Sequence, residues 1–296
     1  MIALAASVLF VLIWSTGFIV ARATTSFAAP ELILSIRLVL TTLLFAAVTL
    51  KMRQPLPRGR QLRLHLAGGA MLAGIYLTVS WWAVYRGLPA GVMSLLGALQ
   101  PLIVAVASVV LLGDRLLVRA WVGLAIAIVG VGCVLLPAIE RSGAGGIPVL
   151  PAVAGIVAVL GMAGGTLIQR GSIAGDGIWI SSAVQSAGGV PVALLAAVLV
   201  GEYRWDGGLI LWAGLAWSVL GLSAGGLLLL VWLVRTQGPT RMSMLLLLVP
   251  PLAAIEAWLL FGEKLSLIQM IGFALALGGV LLGRSQGRSE AITEPA

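Results

Sequence analysis

Charge is what this sequence has least of. Only 9% of its 296 residues are Asp, Glu, Lys or Arg, against roughly 25% in an ordinary soluble domain. It has one histidine, His65, and one cysteine, Cys133. A lone cysteine makes neither an internal disulfide nor a zinc motif, and a single imidazole excludes metal sites built from several. Cys133 sits in an apolar run and reads as a small packing residue. The sequence has no phosphate-binding loop of the ATPase kind and calls for no cofactor. Hydrocarbon is what it has in plenty: 60% of the residues are hydrophobic, with a mean hydropathy of +1.13. This excludes an ordinary soluble enzyme, a disordered chain and a disulfide scaffold. An all-α polytopic membrane protein remains. The formal net charge is +8. Its basic residues lie mainly between apolar runs, so they read as orientation signals in a lipid bilayer and not as a nucleic-acid surface.

Charge-free stretches mark the spans: 1–21, 64–85, 87–113, 120–139, 142–169, 177–201, 207–234 and 265–283. Two more runs qualify if each holds a buried charge, about 30–50 with Arg37 and about 239–261 with Glu256. A span takes roughly 20 apolar residues, so ten transmembrane helices are expected. The first is too long for a signal peptide and reads as a retained helix. An even number of spans puts both termini on one side. Lys51, Arg53, Arg58, Arg60, Arg63, Arg115, Arg119, Arg170, Arg235, Arg241, Arg284 and Arg288 share a face. Only Arg22, Arg86, Arg141, Arg204 and Lys264 fall on the other. The richer face, with both termini, is expected to be cytoplasmic. The polar tail 285–296 reads as disordered.

Shifting the chain by 149 residues superposes two stretches without a gap. Arg86, Met93, Ser94 and Pro101 meet Arg235, Met242, Ser243 and Pro250. Gly113-Asp114-Arg115-Leu116 meets Gly262-Glu263-Lys264-Leu265, and Gly123 and Gly130 meet Gly272 and Gly279. Leu and Ala identities come cheaply between apolar helices, but this ordered set does not. It indicates duplication, with one repeat over 1–140 and the second over 147–284. Five spans per repeat force the second copy into the membrane upside down. Inverted repeats of this kind mark secondary transporters, which bind near the midplane where the halves meet.

Trp14-Ser15-Thr16-Gly17, Pro30 followed by Arg37, and Tyr76…Ala83…Pro101…Gly113-Asp114-Arg115-Leu116…Gly123…Gly130 with its second copy resemble the drug/metabolite transporter superfamily. The form is that of its ten-helix members with two EamA domains, and the aromatic amino acid exporters are one such branch. Asp114 stands where the family usually has Glu. The resemblance covers nearly the whole chain. It implies an exporter in the bacterial inner membrane, with a central cavity lined by helices 1, 3, 4, 6, 8 and 9.

Polar and aromatic residues inside spans are the candidate binding groups, because they are costly unless they face a wet cavity or the bundle interior. Trp14, Ser15, Tyr76, Ser80, Ser94, Trp217, Met242 and Ser243 are the candidates for substrate contact. Trp81 and Trp82 read as part of an interfacial belt. Arg37 is either a structural partner of Glu31 or helix-end carbonyls, or a cavity cation for a carboxylate. Glu256, whose repeat mate is Ala107, is either a candidate carrier of a coupling proton or a structural hydrogen-bonder. Pro101 and Pro250 are expected to bend their helices mid-span and serve as gating hinges. Gly161/Gly165, Gly221/Gly225 and Gly279/Gly283 have the spacing of close helix contacts. Gly221-Leu222-Ser223-Ala224-Gly225 matches a hydrolase nucleophile pattern, but it lies in an apolar helix far in depth from the one histidine.

The expected function is export of small amphipathic metabolites by alternating access. The expected solutes are aromatic or hydrophobic amino acids and flat cationic toxic compounds. The expected working unit is a monomer. A passive facilitator or channel, and less so an intramembrane enzyme, are the other readings.

Overall fold

The computed structural model describes residues 2–113, 116–140, 149–170, 176–200 and 202–283. Among them, nine helices are long and apolar enough to cross a bilayer, and a tenth is apolar but shorter. In chain order they are α1 Ile2–Thr24, α2 Pro30–Lys51, α3 Gly59–Tyr85, α4 Ala90–Leu111 and α5 Val118–Leu135. Then come α6 Val149–Gln169, α7 Ile178–Val200, α8 Leu209–Gly238, α9 Met244–Phe261 and α10 Leu267–Gly283. The protein is an all-α, polytopic membrane protein. Two spans differ from the charge-free runs. Helix α3 begins at Gly59, so Arg60 and Arg63 ride on its first turns. Helix α8 runs on to Gly238, where φ 83° and ψ 160° break it. The tail 285–296, Asp114–Arg115 and the side chain of Ser243 lie outside the described residues.

The duplication is visible in backbone details 149 residues apart. Helices α3 and α8 both widen into π-helical turns, Ala70–Tyr76 and Trp217–Gly225. Helix α4 breaks at Leu99 (φ −75°, ψ −14°), and the corresponding break in α9 is at Leu248 (φ −79°, ψ −16°). Both segments end on a left-handed glycine, Gly113 at φ 74° and Gly262 at φ 68°. A side chain is strained in that conformation, which explains the glycine of the repeated Gly-acid-base-Leu block. The acid of the second copy also has a role. Past the Gly262 turn, Glu263 Oε2 accepts the Ala90 N–H at 3.1 Å, capping α4, and its Oε1 lies 3.7 Å from Arg22.

Helices α5 and α10 show how the halves are related. A Cβ built on Gly123 would lie 2.5 Å from the Gly279 carbonyl oxygen, and one on Gly279 2.5 Å from that of Gly123. One on Gly130 would lie 2.6 Å from the Gly272 oxygen, and one on Gly272 2.6 Å from that of Gly130. Rising numbers on α5 meet falling numbers on α10, so the helices are antiparallel. The shift of 149 carries Gly123 to Gly272 and Gly130 to Gly279. It therefore turns one of these contacts into the other. Such an exchange is a twofold operation, and a twofold relating antiparallel membrane helices lies across them, in the plane of the bilayer. Two inverted five-helix repeats follow. Small residues let the two backbones touch, which is how helices associate where lipid leaves little hydrophobic drive.

The prolines need a correction. Pro101 and Pro250 do not bend continuous helices. The breaks are at Leu99 and Leu248, and each proline lies in the first turn of the segment that follows. A missing N–H costs little there, because first-turn donors have no partner in the helix. Of the glycine pairs, Gly161/Gly165 packs against α3 and Gly279/Gly283 against α5, while Gly221 meets the indole of its own Trp217.

Candidate functional site

Between the two halves lies a cavity of about 390 Å³. Helices α1, α3, α4, α6 and α8 and the α9 segment all contribute to its wall, and so does α2 through Arg37. The two helix breaks face it in register. Gly97, Ala98, Gln100 and Pro101 line it from the first half, and Leu246, Leu247, Val249 and Pro250, each 149 residues later, from the second. The halves match in backbone and differ in chemistry. Among the described residues, every polar side chain on the wall, Arg37, Tyr76, Ser94 and Gln100, comes from the first repeat, together with Trp14, Phe18 and Trp81. The described residues of the second repeat that line it are Met162, Leu222, Leu246, Leu247, Val249 and Pro250. Of the described lining, one wall is aromatic and polar and the other is apolar.

The aromatic wall is tightly built. Phe18 and Tyr76 meet edge to face with ring centroids 6.4 Å apart. The Tyr76 hydroxyl reaches the space a Cβ would take at Gly97. Trp81 is 1% exposed. Its ring lies under the Arg37 guanidinium, 5.5 Å from centroid to Cζ, within cation–π reach. Gln100 donates through Nε2 to Thr166 Oγ1 at 2.6 Å, tying α4 to α6 across the halves. A second polar tie crosses near the start of α3, where buried His65 contacts Asp176 at 2.9 Å and Gln185 at 3.4 Å.

Of the residues expected at the site, Trp14, Arg37, Tyr76, Ser94, Pro101 and Pro250 line the cavity. Four others do not. Ser80 is fully buried and donates to the Leu77 carbonyl of its own helix. Helical serines commonly bond back in this way. Trp217 is 41% exposed and off the cavity wall, its indole N–H donating to Thr16. Met242 packs in a separate apolar cluster with Phe10 and Leu233. Ser15 faces Glu256, donating to its Oε1 at 2.7 Å, and Glu256 lies off the cavity wall as well. The expected Arg37–Glu31 pair is not formed. Both Glu31 oxygens are buried without a hydrogen-bond partner among the described residues. Six helical positions turn the two side chains to different faces of α2. Ser223 donates to the Ser218 carbonyl inside a π-helical turn, so it is not held on a nucleophile elbow. Trp81, Gly17 and Phe18 line the cavity although the sequence reading did not select them.

Ser15 and Glu256 join α1 of one repeat to α9 of the other. The second oxygen of Glu256 is buried with no partner among the described residues. Ser15→Ala removes the one hydrogen bond the carboxyl has. We expect a loss of about 1–3 kcal/mol in stability, read from thermal unfolding in detergent. Ser35→Ala, which removes a bond only to the carbonyl of Glu31 in its own helix, should cost far less. Equal losses would mean that the Glu256 contact contributes nothing of its own.

Residues 1–136 and 149–283 each match the EamA-like transporter family. The chain belongs to this family. It is 31% identical over 222 residues to Protein PecM of Dickeya dadantii (strain 3937), covering 72% of this chain and 71% of that protein. Its fold is similar to a solved crystal structure with a TM-score of 0.60 and 20% sequence identity, over 95% of each chain. As an EamA-like protein it is a multi-pass membrane transporter. The six helices that the resemblance assigns to the cavity all line it, and α2 adds a charge that the resemblance does not assign there.

Proposed function

We propose that this transporter exports small amphipathic metabolites, chiefly aromatic and hydrophobic amino acids and related toxic compounds, by alternating access of the cavity to the two sides of the membrane. One observation carries the reading. The described lining is divided between a polar, aromatic first repeat and an apolar second repeat. A solute with an aromatic or branched body and one polar end matches both halves at once. A volume of about 390 Å³ is in the range of pockets for small organic ligands. Inverted repeats support the cycle, since two pseudo-symmetric halves can exchange conformations and so form two states of similar energy. Since a single chain encloses the cavity, a monomer is the proposed working unit. The distribution of basic loop residues supports a bacterial inner-membrane location with both termini cytoplasmic.

The test is flux through purified protein in proteoliposomes, with labelled phenylalanine, tryptophan and leucine, with and without a pH gradient. We expect saturable movement of the aromatic solutes, in competition with one another. Absence of flux for all three would defeat the substrate assignment, and single-channel currents would defeat alternating access.

A further inference from the structure

We infer that Arg37 is the anchor for a substrate carboxylate, and that the solutes are aromatic or branched monocarboxylates whose amino group is not required. This rests on the proposed function and narrows its substrate class.

Arg37 lies seven residues into α2, about 10 Å from the helix start at 1.5 Å per residue, and is 8% exposed. A guanidinium at such depth normally has a carboxylate or several carbonyls for company. Among the described residues Arg37 has neither an ion pair nor a hydrogen bond, and its close company is the face of Trp81 and the Tyr76 phenol. The nearby acids are placed otherwise. Glu31 is on another face of the same helix, Glu256 holds Ser15, and Glu263 holds Ala90 and Arg22. No carboxylate lines the cavity, so its described lining carries one positive charge and no negative one.

A single buried cation on the wall of an organic-sized space selects a single negative charge. The planar fork of arginine fits the two oxygens of a carboxylate, and Trp81 beneath holds the fork flat. The aromatic wall and the hydrocarbon wall then take the body of the solute. Among the described lining residues nothing of opposite charge awaits an ammonium group. Cationic aromatic compounds, which the sequence alone left among the expected solutes, meet like charge in this cavity.

The test is competition against labelled phenylalanine in proteoliposomes of the full-length protein. The competitors are 3-phenylpropionate, phenylalaninamide and phenethylamine. We expect 3-phenylpropionate to compete within a few-fold of phenylalanine, and the amide and amine to be weaker by roughly tenfold to a hundredfold. Arg37→Lys should keep this order with weaker binding, and Arg37→Met should abolish it. Equal competition by the amide in wild type, or an unchanged order in Arg37→Met, overturns the inference. Should Arg37→Met fail to fold, the wild-type order decides alone. Equilibrium quenching of tryptophan fluorescence in detergent separates the two claims. Carboxylate-selective quenching without flux supports the anchor and defeats the exporter reading. Quenching without carboxylate preference defeats the anchor.

Discussion

Gly17→Leu is expected to cut transport sharply without unfolding the protein. Gly17 lies on α1 at the cavity wall, and a Cβ built there meets no atom within 4 Å. The added isobutyl group therefore enters the cavity and displaces no packed neighbour. Helix formation gains slightly, by about 0.5–1 kcal/mol, because glycine is a poor helix former. The body of the solute loses the space it needs against Trp14 and Phe18. Single-methylene mismatches in apolar pockets already cost tenfold or more, so the expected fall in flux is at least about tenfold. The melting temperature in detergent should hold or rise. Retained flux would mean that solute passes elsewhere. A large fall in melting temperature would mean that the space beside Gly17 closes in the folded protein.

The opposite result is expected at the helix pair that carries the twofold. Gly130→Val and its repeat mate Gly279→Val each push a branched side chain into the facing backbone, where a Cβ alone would come to 2.6 Å from Gly272 and 2.5 Å from Gly123. A flexible side chain could move aside, but the backbone of a packed helix cannot do so cheaply. The expected loss is at least about 3 kcal/mol, the upper end of ordinary overpacking, seen as loss of the monodisperse peak after extraction. Gly278 is the control. It neighbours Gly279 in sequence but faces open space, so Gly278→Val should be extracted intact. Similar behaviour of all three variants would remove the α5–α10 contact as the axis of the fold.

These two glycine cases show what the sequence could reveal. The repeated block from Pro101 to Gly130 was legible because each element answers to a backbone need that recurs in the second copy. Gly113 and Gly262 end helices in left-handed turns, and Gly123, Gly130, Gly272 and Gly279 allow contact between backbones. Span count and inversion followed from such features. The cavity wall was harder to read. Lipid and protein interior are both apolar, so a span that is hydrophobic all round does not announce which face looks inward. Ser80 and Ser94 are alike in sequence terms, yet one bonds its own helix and the other lines the cavity. Trp81 sits four residues before Tyr85 near the end of α3, which made it look interfacial. Packing against α2 instead places it beneath Arg37. The depth of Arg37 was plain from its spacing to Pro30, but its lack of a partner depends on where Glu31, Glu256 and Glu263 point.

The most direct test of the cavity as a transport path uses the lone native cysteine to advantage. Cys133→Ser gives a thiol-free background, and Gly17→Cys then places one small thiol on the cavity wall. Reconstituted in one orientation, this protein is exposed to a membrane-impermeant maleimide from each side in turn, with and without 3-phenylpropionate. Alternating access between inverted halves predicts labelling from both sides, slowed from both by the solute. Labelling from one side only, or labelling that the solute leaves unchanged, would contradict it.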